Sequence, residues 1–241
     1  MKYYGIFDAP TPVQGQQQSG DTPDEKRQRE VLRLAIEMND SSQVFELVRL
    51  RDLDESTNLD EFTVANRLRA ELGAQKITLL AVGRGAEFAV RVLAELAKLD
   101  ADAIAAGRYR RGVANLILIV PKLDPDAFAA EGSSLRMSAL ASAVCDHIVV
   151  FHGTGCLPTP VCRETGMAGS LGHVGPARAC LGNVLCVDIS HLTLAHLPCV
   201  KAAMESLEVL GLVGRAVAGT GSTALAEFAK RMHCCPSKPA A

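Results

Sequence analysis

Three short stretches restrict this chain more than anything else in it: KITLLAV at 76–82, ANLILIV at 114–120 and HIVVF at 147–151. Each is a nearly continuous apolar run of strand length, without the alternation of a strand that has one face in water. Such strands need cover on both faces, which a parallel sheet with helical crossovers supplies. The intervening segments have the periodicity for that cover. Residues 86–99 set Phe88, Ala89, Val92, Leu93 and Leu96 against Glu87, Arg91, Glu95 and Lys98, with Glu87 four residues before Arg91. Residues 24–38 align Val31, Leu34, Ala35 and Met38, and residues 60–72 carry Phe62, Ala65, Leu68 and Leu72. Residues 198–210 open on Pro198 and align Val200, Ala203, Met204, Leu207 and Leu210; a last helix is expected near 222–232. Further strands are expected at 3–8, 43–50 and 183–189. The expected fold is therefore α/β: an open, mostly parallel sheet of about six strands, helices on both faces, three layers and right-handed crossovers. One domain spans 1–232, and 233–241 form a disordered tail.

The chain has 241 residues, 48% of them apolar, enough for one sizeable core. A formal charge of −2 gives no electrostatic reason to expect nucleic acid or an anionic membrane as a partner. With no Trp, seven Phe and three Tyr, an aromatic platform for stacking bases is not expected either. No apolar run is long enough for a membrane span. The opening MKYYGIFDAP lacks the basic segment and apolar run of a signal peptide. The expectation is a soluble intracellular protein, with the cytoplasm favoured and an organelle interior left open.

Eight cysteines stand at 145, 156, 162, 180, 186, 199, 234 and 235, the first six interspersed with His147, His152, His173, His191 and His196. The spacings Cys156-x5-Cys162 and Cys180-x5-Cys186 are wider than the short cysteine pairs of zinc sites. Packed, reduced thiols are the expectation, with neither metal nor cofactor and no disulfide framework. Two segments break the strand–helix rhythm: 9–23 is long and polar, and 152–183 is rich in Gly and Pro. Both should lie at the carboxyl ends of strands, where open α/β sheets keep their sites.

From residue 60 to 200 the order of features resembles the α/β-hydrolase superfamily. DEFTVANRLRAELGAQKITLLAVGRGAEFAVRVLA looks like its helix, strand and nucleophile elbow, and RGVANLILIVP like the following strand. HIVVFHGTGCLPTP looks like the strand that precedes the catalytic acid, and NVLCVDISHLTLAHLP like the last strand and the loop with the catalytic His. The family's elbow is Gly-x-Ser-x-Gly, whose small residues permit a sharp turn that exposes the Ser oxygen. Here Ala81 and Gly85 supply small residues, and the nucleophile position is Gly83. His191 matches the catalytic His; its plainer reading is a hydrogen-bonded loop His. The acid position falls on Gly155 or Cys156. Asp124 could stand in, although an Asp before Pro commonly starts a turn. The second oxyanion donor falls near Pro10, which has no N–H.

The resemblance thus implies a degenerate triad (Gly83, Asp124, His191) in a non-catalytic binding or scaffold subunit of a protein complex. Pro10, Arg84, Gly85, His152 and Cys156 would line its cleft, which would take a small apolar ligand or dock a protein partner. The alternative is an active esterase or thioesterase with a relocated nucleophile, Cys156 being the best placed. A third reading makes Gly83-Arg84-Gly85 a phosphate or nucleotide site at a helix start. The dinucleotide fingerprint fails there, because Phe88 occupies its third Gly position, and Asp102 only weakly suggests a ribose partner.

Overall fold

The apolar runs pair side by side. The structure is a computed structural model that describes residues 2–6, 26–27, 29–31, 33–34, 47–49, 60–72, 77–109, 112–130, 135–153, 169–192 and 199–217. Strands β1 (Lys2–Ile6), β2 (Leu47–Arg49), β3 (Ile77–Val82), β4 (Val113–Ile119), β5 (Cys145–His152) and β6 (Val184–Asp188) pair in the order β2-β1-β3-β4-β5-β6. Every pairing is parallel. The chain is α/β with a parallel sheet, as runs buried on both faces require.

The helices include α1 (Glu61–Leu72), α2 (Gly85–Leu99), α3 (Ala101–Ala105), α4 (Leu135–Val144), α5 (Leu171–Val174), α6 (Cys199–Glu205) and α7 (Leu207–Val217). Successive strand residues point to opposite faces, which divides the core in two. Ile77, Leu79, Ala81, Leu116, Leu118, Ile148 and Val150 pack with α1, α2 and α4. Leu80, Val82, Ile117, Ile119, Val149, Phe151 and Val187 pack with α6 and α7. Among the described residues, no helix is long and apolar enough to cross a membrane.

Helix boundaries follow local chemistry. The Asp60 side chain accepts a hydrogen bond from the Thr63 N–H at 2.7 Å and caps α1. On α2 the Glu87–Arg91 pair forms, and Arg91 also reaches Glu61 of α1 at 3.4 Å.

Several expectations need correction. Phe62 is not on the buried stripe of α1. It is 54% exposed, because the packed stripe runs through Val64, Ala65 and Leu68, with Leu72 partly buried, and Phe62 lies about a quarter-turn away. The single helix expected at 198–210 is two, divided at Ser206, whose Oγ accepts a hydrogen bond from the Val209 N–H at 3.3 Å and starts α7. Consequently Leu207, counted above on a buried stripe, is exposed. Helix α4 was not anticipated, and α5 adds one helical turn inside the 152–183 loop. Described residues between 26 and 34 are helical; Val31 packs on the core and Leu34 is exposed. The helix expected at 222–232 and the tail at 233–241 lie outside the described residues.

The contrast between two phenylalanines tests this packing. Phe151→Ala, fully buried on β5, should cost about 3–5 kcal/mol in urea denaturation. Phe62→Ala should stay within about 0.5 kcal/mol of the parent, as expected of a surface change.

Candidate functional site at the carboxyl edge of the sheet

Order along the sheet decides where a site can form. The chain goes from β1 outward to β2, then returns to place β3 on the other side of β1. In open α/β sheets sites tend to form at the carboxyl ends where the direction of winding reverses, here between β1 and β3. Gly83 follows β3 and so borders that point.

Gly83 occupies the turn between β3 and α2 with φ 55°, a left-handed conformation that glycine adopts freely. Its N–H donates to the Ile119 carbonyl at 3.0 Å, and its own carbonyl accepts from the Lys122 N–H at 2.9 Å. Arg84 is half-buried, and Gly85 is buried as the first residue of α2. Gly83 projects no side chain from this turn.

The next turn is less ordinary. Val120 has φ 47°, among the described residues the only left-handed residue other than glycine. A β-branched residue is a genuine outlier there, and a following proline disfavours the conformation further. Its surroundings hold it. The Val120 N–H donates to the Phe151 carbonyl at 2.9 Å, and the Gly172 N–H donates to the Pro121 carbonyl at 2.9 Å. Gly172 is needed for that approach: a Cβ there would lie 2.3 Å from the Val120 carbonyl carbon. Strain of about 1–3 kcal/mol, offset by neighbouring contacts, is commoner at sites than in plain cores.

His152 ends β5 and is 8% exposed. Its carbonyl accepts the Ile189 N–H at 2.8 Å, and the Gly153 N–H donates to the Gly172 carbonyl at 3.0 Å. Gly175, at φ 78°, covers the ring so closely that a Cβ would stand 2.8 Å from Cε1 and 2.9 Å from Nδ1. His152 Nδ1 has no hydrogen-bond partner among the described residues. Directly across the sheet, Asp188 ends β6 in register with His152. Its Oδ1 accepts hydrogen bonds from the Ser190 N–H, at 2.8 Å, and from the Ser190 hydroxyl. Burial lowers the His152 pKa, and the Asp188 carboxylate works against that shift. A neutral imidazole offers one donor and one acceptor nitrogen.

The other residues singled out by sequence are more scattered. His191 sits exposed in a 3-10 turn, Ser190–Leu192, directly after β6. Three strand spacings separate β6 from β3, about 14 Å across the sheet. Asp124 is exposed; its Oδ1 accepts the Asp126 N–H at 2.8 Å, the turn-starting role of an Asp before Pro. Pro10, Gly155 and Cys156 lie outside the described residues. Asp188, Val120, Gly172 and Gly175 were missed. Only Asp188 left a trace, as the last residue of a strand beside one ending in His.

Chemically, this edge holds a buried imidazole beside a carboxylate and, in the sharp turn after β3, no nucleophilic atom. Among the described residues, no group of three or more His, Cys, Asp or Glu is arranged to hold a metal. No protein-family model, curated protein or solved structure matches the chain.

Burial of His152 gives a testable pH dependence. Its folded pKa lies below the ordinary 6.5, so in acid the unfolded chain binds the extra proton first. Stability should be fullest above about pH 6.5 and fall as the pH drops below it towards the folded pKa. Denaturant midpoints at pH 7.5 and 5.5 should converge in His152→Gln relative to the parent. An equal acid loss in both proteins would remove the assignment.

Proposed function

We propose that this chain is an α/β-hydrolase-like protein without serine-hydrolase activity, acting as a binding or scaffold subunit through the carboxyl edge of its sheet. The observation that carries this reading is Gly83. It stands in a strand–turn–helix context, at positive φ, at the position that the elbow nucleophile takes in the resemblance. Further support comes from the order of the landmarks. The segments likened to elbow strand, following strand, acid strand and His strand are the consecutive neighbours β3, β4, β5 and β6. Their carboxyl ends therefore share one edge, as a family whose triad runs Ser, acid, His along the chain requires. The expected three-layer arrangement is compatible with helices packed on both faces.

Loss of the nucleophile removes the covalent step, and glycine keeps the turn without the strain that another residue would add. What the edge retains is shape and polarity: fixed backbone turns and the His152–Asp188 pair. These suit recognition of a small ligand or a partner loop rather than acyl transfer.

Purified protein should neither label with a fluorophosphonate nor turn over short acyl esters with saturation. Gly83→Ser should not restore activity and should lower stability by about 1 kcal/mol, the cost of a side chain in a left-handed turn. Under native expression the chain should elute as part of a larger assembly. Saturable hydrolysis abolished by His191→Ala would defeat the non-catalytic reading; elution only as a free monomer would defeat the scaffold role.

A further inference from the structure

Away from Gly83, two thiols meet. Cys180 and Cys186 are both free, partly buried, and have their Sγ atoms 3.5 Å apart. The backbone fixes both. Cys180 forms an isolated antiparallel bridge with Ala129, flanked by hydrogen bonds from Ala130 N–H to Ala179 and from Leu181 N–H to Phe128. Cys186 lies within β6. The turn between them is tied down by Asn183, whose side chain donates to the carbonyls of Ser142 and Cys145 and accepts from the Ser142 hydroxyl at 2.9 Å. The folded backbone therefore holds the two cysteines within reach of each other. A disulfide needs sulfurs about 2.05 Å apart, so from 3.5 Å they must approach by about 1.5 Å, within the range of side-chain rotation.

We infer that Cys180 and Cys186 form a reversible dithiol–disulfide pair, whose oxidation staples the segment covering His152 to strand β6. The segment at stake runs from α5, which packs Gly172 against Val120 and Pro121, through Gly175 over the His152 ring, to Cys180. In the reduced chain its far end is held by the bridge to Ala129; in the oxidised chain it is bonded to the strand that carries Asp188.

The chemistry balances with a low-molecular-weight disulfide, such as oxidised glutathione, as the electron acceptor. The Cys180 thiolate attacks one glutathione sulfur, forming a mixed disulfide and releasing one glutathione thiolate. Cys186 then gives its proton to solvent and attacks the Cys180 sulfur, releasing the second. Two protein thiols lose two electrons and two protons, and one small disulfide becomes two thiols. The contact between the thiols lowers the Cys180 pKa to about 7 and raises that of Cys186, which makes Cys180 the attacking thiol at neutral pH.

Peptide mapping of the reduced chain after exposure to oxidised glutathione tests the pairing. Trypsin releases 179–201, which also contains Cys199, so a Cys199→Ser background isolates the pair. In that background the peptide should lose two hydrogens and recover them with dithiothreitol. Adding Cys186→Ser should leave glutathione trapped on Cys180, and adding Cys180→Ser should leave Cys186 unmodified. Both thiols of folded parent protein remaining alkylatable after oxidation would overturn the proposal, and this readout does not depend on any variant folding. Hydrogen exchange reads the consequence: amides of 171–181 should exchange several-fold more slowly in the oxidised chain. A disulfide that leaves those rates unchanged would refute the stapling role.

Discussion

Burial of β3, β4 and β5 on both faces is the constraint on which the rest of this molecule depends. It excludes polar side chains from the middle of the sheet unless they bring their own partners. Thr78 and Asn115 show the rule at work: both are buried, they face each other in register, and the Asn115 amide donates to the Thr78 hydroxyl at 3.3 Å. Chemistry is thereby displaced to the strand ends, where backbone turns and loops can supply polar groups. The carboxyl edge, where the winding reverses between β1 and β3, is the end that open α/β sheets favour for such groups.

That edge is held by backbone more than by side chains. Gly83 bonds to Ile119 and Lys122, Val120 to Phe151, His152 to Ile189, and Gly153 to Gly172. Each strand end is thus tied to the next, from β3 across to β6. The left-handed Val120 becomes tolerable in this setting, since several of these bonds would break if it relaxed. Rigidity of this kind does not require a reactive side chain at Gly83.

The central sheet was legible because double-sided burial leaves a crude signature, an unbroken apolar run, which survives in one sequence. Helix α2 was legible for a similar reason, with a wide apolar face and well-placed charges. Helix α4 was not, since LRMSALASAV is small and apolar around much of its circumference and carries no clear polar stripe. The break at Ser206 needed the cap chemistry of one hydroxyl, which periodicity overlooks. At the site, Gly83 was legible from the small residues around it, but the His152–Asp188 pairing depends on strand register. Residues 36 positions apart in the chain become neighbours only once β5 and β6 are aligned. The left-handed Val120 and the close approaches of Gly172 and Gly175 had no sequence signature beyond a Gly-rich loop.

His152 stands apart from the satisfied Thr78–Asn115 pair. A buried polar atom left without a partner costs about 1–3 kcal/mol, and an apolar residue of similar size would avoid that cost. Stability alone does not explain the imidazole, nor the strain at Val120. The proposed binding role would give both a use: a ring nitrogen without a partner among the described residues, and turns fixed by backbone hydrogen bonds around it. The backbone of the Gly175 segment lies against the ring, next to Cε1 and Nδ1. That segment runs on to Cys180, whose sulfur touches Cys186 of the strand bearing Asp188. The proposed thiol pair and the segment that lies against the buried imidazole are therefore parts of one short stretch of chain.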